Sequence, residues 1–487
     1  MITSDAPDRQ YSTRLRTAAV LIGSGTAGAY HAGVLRALHE AGVKIDLVAG
    51  RGAGVVSAFF AAVDGGARLW EPNGLWKSRS ASGFYRWRPP LRAAGWALIA
   101  AAIIFAVPVA LLAVAVLVGV AALLLTLVGL EGPGSLLRGT FTGWLDTLFA
   151  PSSLPTIIPR LVLFAVLVAA AALAAGLVAN AWRPGAKRRT RHGLAWRLIG
   201  SPVSPGAIVD RSLAELWNLI RGAAPLSAPP RPELARRYID LLSENLGQPG
   251  FRELLVTVHD MDARRDFVFA LLAPARRLRF FGRPGAAESA GRAIETFDLG
   301  GVGRDHALDA LAASLAVPAA TEPHLTTFSS EGPWRGETHR LCDRPGAVAR
   351  LMEEVAAAGA EQVILISASA PPTHAHELNS GRADLRGRAG EQLASFEAAT
   401  LRDVTEQFAG RFAGLFAIRP IHNPLGPLDF SGVYDERSDR LHSLGELIDR
   451  GYEDAYRQFI EPVVGAGGER IEAVQNPPVD ARDSRPS

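Results

Sequence analysis

The sequence predicts an α/β fold: a mostly parallel sheet flanked by helices and interrupted by a transmembrane helical hairpin. Three observations predict it. The stretch TAAVLIGSGTAGAYHAGVLRALHEAGVKIDLVAG, residues 17–50, reads as strand, glycine loop, helix and strand. That is a βαβ unit, which implies parallel strands. Residues 94–130 and 161–182 are almost wholly apolar. On both sides of them the chain keeps the alternating strand and helix patterns of an ordinary globular enzyme.

Each element has a local reason. Ala18 to Ile22 is a continuous apolar run, the signature of a strand buried on both faces. Gly23, Ser24, Gly25, Thr26, Ala27 and Gly28 form a glycine-rich loop. Tyr30 to Ala41 then has helical spacing, with Val34, Leu35 and Leu38 on one face and Gly42 as the stop. The run VKIDLVAG is the next strand. It breaks at Gly50, Arg51, Gly52, Ala53 and Gly54 and gives way to the small-residue helix VVSAFFAA. This is the setting of a nucleophile elbow, G-x-S-x-G, with no hydroxyl at the middle position.

The apolar stretches set the topology. Ala93 to Leu130 carries no charge, and Leu161 to Trp182 fits one span of roughly 20 residues. Lys77, Arg79, Arg86, Arg88 and Arg92 precede the first, and Arg183, Lys187, Arg188, Arg189 and Arg191 follow the second. The connecting stretch EGPGSLLRGTFTGWLDTLFAPSSLPT has only Arg138 as a base. The positive-inside rule puts both polar parts, and the sheet they build, on the cytoplasmic face of the inner membrane. If both polar parts build one domain, the crossings must be even in number, hence two. The first span is then long, and tilted or partly interfacial near Pro108. Within the loop, Trp144 and Phe149 are candidate interfacial anchors.

Bulk composition narrows the function. The 487 residues are 48 % apolar with a net charge of +3, and the mean hydropathy of +0.14 is raised by the two apolar stretches. No nucleic-acid-binding motif is present, so the basic clusters read as membrane topology. The single cysteine, Cys342, excludes an intrachain disulfide. The N-terminus lacks the apolar core of a signal peptide. The polar, proline-rich end, 465–487, is expected to be disordered. The expected organisation is a first half-domain at 1–92, the hairpin at 93–182, and a second half-domain at 183–464.

The glycine loop admits two readings. Gly23-x-Gly25-x-x-Gly28 matches a dinucleotide fingerprint, but the acidic residue expected at the end of the second strand is missing; Asp46 comes too early. Alternatively its backbone N–H groups form an oxyanion hole.

GSGTAGAYHAGVLRALHEAGVKIDLVAGRGAG resembles the opening of a patatin-like phospholipase domain, of a bacterial, membrane-anchored kind. Four later segments are similar in the same order: LLVTVHDMDARRDFVFALL, LAASLAVPAA, HRLCDRPGAVARLMEEVAAAGAEQVILISAS and SLGELIDRGYEDAYRQFI. The resemblance covers about 15–92 and 205–462. It implies a patatin-like sheet and hydrolysis of lipid acyl esters by a serine–aspartate dyad, with the glycine loop as oxyanion hole and membrane lipids as partners. It implies no cofactor, no metal and no nucleic acid.

This chain departs from the pattern at each chemical position. Gly52 stands where the nucleophile belongs, so there is no attacking oxygen. Arg51 replaces a small or polar residue, Ser24 a glycine and Ala27 a basic residue, although the N–H groups of Gly25 and Ala27 remain as oxyanion donors. Asp343 matches the catalytic aspartate, but Arg344 and Pro345 follow it in place of glycine. The expectation is a membrane-anchored, catalytically impaired member acting in lipid binding or regulation; the alternative is an active acyl hydrolase with non-standard chemistry.

Substitutes for the missing serine are few. Ser57 lies inside the elbow helix, Ser24 is a turn serine or faces the cleft, and Cys342 reads as a buried strand residue. Asp343 alone could activate water. His31 reads as a helix residue and not a base. His374, His376 and Glu377 look like scattered ligands in a polar loop, without a partner set at metal spacing. The run Lys187 to Arg191 suits anionic headgroups or topology alike.

Overall fold

Strand β1, Thr17–Gly23, is buried along its whole length, and helix α1, Gly28–Glu40, returns the chain to β2, Leu47–Gly52. Gly42 (φ +64°) ends the helix, as its position predicts. From β2 the chain turns directly into α2, Gly54–Ala62, and every residue of α2 is buried. These coordinates come from a computed structural model that describes residues 11–148, 150, 154–181, 200–282, 294–369, 384–435 and 440–465. The expected tail from 466 onward, His374, His376, Glu377, the basic run 187–191 and Phe149 lie outside the described residues.

The chain divides into two compact units, Trp87–Pro202 and the combined segments Met1–Arg86 and Val203–Ser487. The first holds α3, Pro89–Leu127, α4, Glu131–Leu148, and α5, Leu154–Ala181. Helix α3 runs unbroken through Pro108 for 39 residues, about 58 Å at 1.5 Å per residue. It and Ile158–Ala179 of α5 are long and apolar enough to cross a membrane. Their bulky side chains, such as Phe105, Leu112 and Phe164, are exposed, while Ala94, Ala101, Ala122, Ala165 and Ala169 are buried. Small residues let helix backbones approach without a hydrophobic driving force, as in lipid.

The other unit continues with α6, Gly206–Arg221, α7, Arg231–Asn245, and the hairpin β3, Glu253–Asp260, and β4, Arg265–Leu271. Then come α8, Pro274–Phe281, β5, Thr296–Asp298, α9, Ala307–Ser314, β6, His324–Thr327, and β7, Thr338–Cys342. The last elements are α10, Val348–Ala357, β8, Gln362–Ser367, α11, Leu385–Phe408, β9, Gly414–Ile418, and α12, Leu444–Ala455.

The sheet runs β9-β8-β1-β2-β3-β4-β5. The first five strands are parallel, and β3 and β4 form an antiparallel pair. The sheet is therefore mostly parallel and covered on both faces, as a chain of continuous apolar strands requires. One core joins α1, α2, α7, α9 and α12 to the face carrying Val48 and Val256. The other joins α10 and α11 to the face carrying Leu47 and Ala49. Each fully buried Val, Leu or Phe contributes roughly 1.5–3 kcal/mol.

One feature of the register positions the site. Strand β2 pairs with β3 only as far as Arg51 against Thr257. Beyond its end β7 takes over the same flank, pairing Cys342 with His259 and Leu341 with Asp260. The residue after Cys342 therefore emerges opposite the tip of β2.

Candidate functional site

The turn after β2 has the backbone of an elbow. Gly52 has φ +58°, a left-handed conformation that costs an L side chain roughly 1–2 kcal/mol. A Cβ on Gly54 would lie 2.0 Å from the Leu21 carbonyl oxygen, so that position admits only glycine. A Cβ on Gly52 would point at Asp343, 2.8 Å from Oδ2. The elbow position thus faces the aspartate to which the sequence pairs it. The same Cβ would lie 2.2 Å from the Gly23 carbonyl oxygen. The corner has closed over the space that a side chain would need.

Asp343 is engaged from two sides. Residues 47, 49 and 51 alternate onto one face of β2, which sends the Arg51 side chain into the layer of α10 and α11. Its Nη1 lies 2.7 Å from Asp343 Oδ1 and 3.0 Å from Oδ2, and its Nη2 donates to Glu397 Oε1 at 2.6 Å. The three side chains are about 1 % exposed or less. Burial works against the guanidinium charge, but the Asp343 and Glu397 carboxylates outweigh it and raise the Arg51 pKa. Burial also raises the Glu397 carboxyl above its usual range, against the pull of Arg51 and a hydrogen bond from Ser369.

The second approach comes from the glycine loop. Ser24 Oγ donates to Asp343 Oδ2 at 2.5 Å in a buried contact. Ser24 is therefore not merely a turn serine: it occupies the aspartate. Of the N–H groups read from the sequence as oxyanion donors, that of Ala27 donates to Ser24 O (3.3 Å); beside the elbow tip, Ala53 N donates to Gly23 O (2.7 Å). Gly25 (φ +63°) is backed by the Pro427 carbonyl oxygen, 2.8 Å from where its Cβ would be. Gly28 opens α1, and Gly50 lies inside β2.

A strap, Leu425–Phe430, holds the loop down. Thr26 Oγ1 donates to Asp429 O (2.5 Å), and Leu425 N to Ala368 O (3.0 Å). Arg386 donates to the Leu428 carbonyl from Nε and Nη2 (3.1 and 2.7 Å). Phe430 stacks on Tyr85 at 4.5 Å, and Tyr85 Oη lies 3.3 Å from Gly25 O.

The remaining candidates are buried or engaged elsewhere. Ser57 is buried in α2. The His31 ring is bonded through Nε2 to Ile22 O (3.0 Å), and burial lowers its pKa to about 4, so it stays neutral. Cys342 is buried at the end of β7, its thiol pushed up to about 12 by desolvation first and by Asp343 next. Arg344 pairs with Asp266 through its side chain, and its carbonyl accepts from Ala347 N (2.9 Å) in the turn that follows Asp343. No cluster of three metal-ligating side chains occurs among the described residues.

Sequence reasoning missed Glu397 and the strap. A signal for Glu397 exists: it precedes Leu401, Val404 and Phe408 at spacings of four, seven and eleven, on the buried stripe of α11. A carboxylate on such a stripe needs a buried partner. The strap, LGPLDF, has no periodicity to betray it.

No family model matches the chain, and no curated protein matches its sequence. Among solved structures it is similar to the crystal structure of VipD from Legionella pneumophila. That similarity has 11 % identity and a TM-score of 0.29, and covers 92 % of this chain and 67 % of that one.

Proposed function

We propose that this chain is a membrane-anchored, patatin-like protein linked to lipid metabolism, catalytically silent at its elbow, that acts by binding lipid or in regulation. The reading includes two half-domains on the cytoplasmic face of the inner membrane, joined through a two-span hairpin. One observation carries it: Gly52 keeps the left-handed elbow conformation and faces Asp343, while Arg51 and Ser24 occupy that carboxylate. A hydrolase needs the reverse, a nucleophile at the tip and a carboxylate free to take its proton. The Ala27 N–H and the Ala53 N–H beside the tip are spent on Ser24 O and Gly23 O, which weakens the residual rate that an oxyanion hole alone supplies.

The test is ester hydrolysis and fluorophosphonate labelling of the purified full chain, beside Ser24→Ala and Asp343→Ala. Background labelling and no turnover in all three is the expected result. Turnover by the wild type that vanishes in Asp343→Ala overturns the reading.

A second reading, an acyl hydrolase with a displaced nucleophile, draws on the 2.5 Å contact between Ser24 and Asp343. There Ser24 Oγ would attack the ester carbonyl carbon, its proton passing to Asp343 and then to the departing alcohol. Water would afterwards hydrolyse the acyl-serine. Arg51 on the same carboxylate weighs against it. Labelling of the wild type that is lost in Ser24→Ala would establish it.

A further inference from the structure

If the elbow corner is filled, lipid must be held elsewhere. The α/β unit has a cavity of about 380 Å³ between α8, β5 and the segment that follows β6. That lies within the 300–1,000 Å³ typical of small-molecule sites. We infer that this cavity takes one acyl chain of a zwitterionic lysophospholipid, a phosphate and an amine on a single tail. This rests on the lipid-binding reading above and names its site.

The walls select the tail. They include Phe281, Phe297, Val302, Phe328 and Trp334. Phe297 is sandwiched between Phe269 (4.7 Å, 15°) and Phe328 (5.2 Å, 13°), so both its faces are taken. Such an aromatic wall suits an alkyl chain, which packs against it through dispersion contacts. A cavity of about 380 Å³ has room for one chain.

The rim selects the head. Arg277, Asp298 and Glu331 line the cavity, so charges of both signs stand at one mouth. Arg277 holds Asp298 Oδ2 through Nε and Nη2, at 2.6 Å each. Its Nη1 lies beside Gly300, where a Cβ would come to 3.2 Å, so the glycine keeps that edge of the guanidinium clear for a phosphate oxygen. Asp298 is already satisfied by Arg277 and the Gly300 N–H. The exposed Glu331 is left to face an ammonium. A zwitterionic head meets the uncovered edge of Arg277 with its phosphate and Glu331 with its ammonium. Val302 and Leu278 expose large apolar surface beside Gly301 and Arg277 of the lining.

The test is photo-crosslinking of the full chain, in amphipol, with a diazirine-tailed lysophosphatidylethanolamine, followed by peptide mapping. Label on residues 328–334 or 297–302 is expected, with unlabelled lysophosphatidylethanolamine competing at least tenfold better than lysophosphatidylglycerol or palmitate. Arg277→Met and Glu331→Gln, both at the rim, should each weaken that competition severalfold and leave palmitate unchanged. Val302→Trp should abolish the label by filling the cavity. Equal competition by all three lipids overturns the assignment of the head. Label elsewhere in the α/β unit overturns the cavity while lipid binding stands. No label at any position removes both. The silence of the elbow is read separately, by the fluorophosphonate.

Discussion

Two strand-to-helix turns lie side by side at the carboxyl ends of neighbouring strands, Gly23 to Gly28 after β1 and Gly52 to Ala53 after β2, and their first residues are in register. The β2 turn has the strained backbone that normally presents a nucleophile and no side chain to present. The β1 turn should offer bare N–H groups and instead places a hydroxyl on Asp343. Each turn has the feature expected of the other. The comparison teaches that packing alone can fix the backbone of such a turn, because glycines at positions 50, 52 and 54 are what lets β1, β2 and α2 approach so closely.

The largest effect should come from the guanidinium that fills the corner. In Arg51→Met, Asp343 and Glu397 lose their shared cation and remain buried. Removing one partner of a buried ion pair typically costs about 3–5 kcal/mol. Denaturant unfolding of the α/β unit within the full chain should show a loss of that size. A change below ~1 kcal/mol would mean that Arg51 does not lock the corner.

Next comes the attempt to restore the nucleophile. Gly52→Ser puts a side chain at φ +58°, and its Cβ would come within 2.2 Å of the Gly23 carbonyl oxygen. The left-handed backbone and the overpacking together should cost roughly 2–4 kcal/mol. The variant should remain unlabelled by fluorophosphonate. Strong labelling at position 52 would show that the β2 turn needed only its oxygen.

How much of this was legible follows from what each feature depends on. The βαβ unit and its glycine loop are local, and the structure has them within a few residues of the expected bounds, as β1, α1 and β2. The two apolar helices are local too, although hydropathy cannot say that α3 runs unbroken through Pro108. Asp343 opposite Gly52 depends on β7 continuing the lane of β2 along β3, a pairing between distant segments. The family resemblance supplied that placement; periodicity could not. The Arg51–Glu397 contact depends on which helix covers which face, and the stray carboxylate on α11 was its one trace. The strap depends on irregular backbone around prolines and glycines, which has no pattern to read.

The hydroxyl on the β1 turn should matter less. Ser24→Ala removes one hydrogen bond to a charged acceptor and leaves Asp343 its contacts with Arg51. Such bonds contribute about 1.5–3 kcal/mol when their loss strands a partner. Here the partner stays paired, so a loss of about 1–2 kcal/mol is expected in the same unfolding measurement. If the loss matched that of Arg51→Met, the two turns would share the locking equally.

The smallest effect is a pH dependence, and it tests whether the corner holds a proton. Burial is the main cause raising the Glu397 carboxyl above its ordinary value of 4.5. Between that value and its folded-state pKa, the folded chain binds a proton that the unfolded chain releases. The resulting stability is complete below about 4.5 and declines as pH rises through the folded-state pKa. Other groups titrate in the same range, so the informative quantity is the difference between wild type and Glu397→Gln. Gln keeps the oxygen that accepts from Arg51 Nη2 and cannot ionise. Melting temperatures of the two proteins should diverge with rising pH, the wild type falling relative to the variant. Parallel curves would mean that folding leaves the Glu397 carboxyl at its ordinary value of 4.5, so that above it Arg51 faces two full negative charges in the core. In that case Ser24, as the hydroxyl donating to Asp343, would be a needed part of the charge balance, and its loss should grow toward that of Arg51.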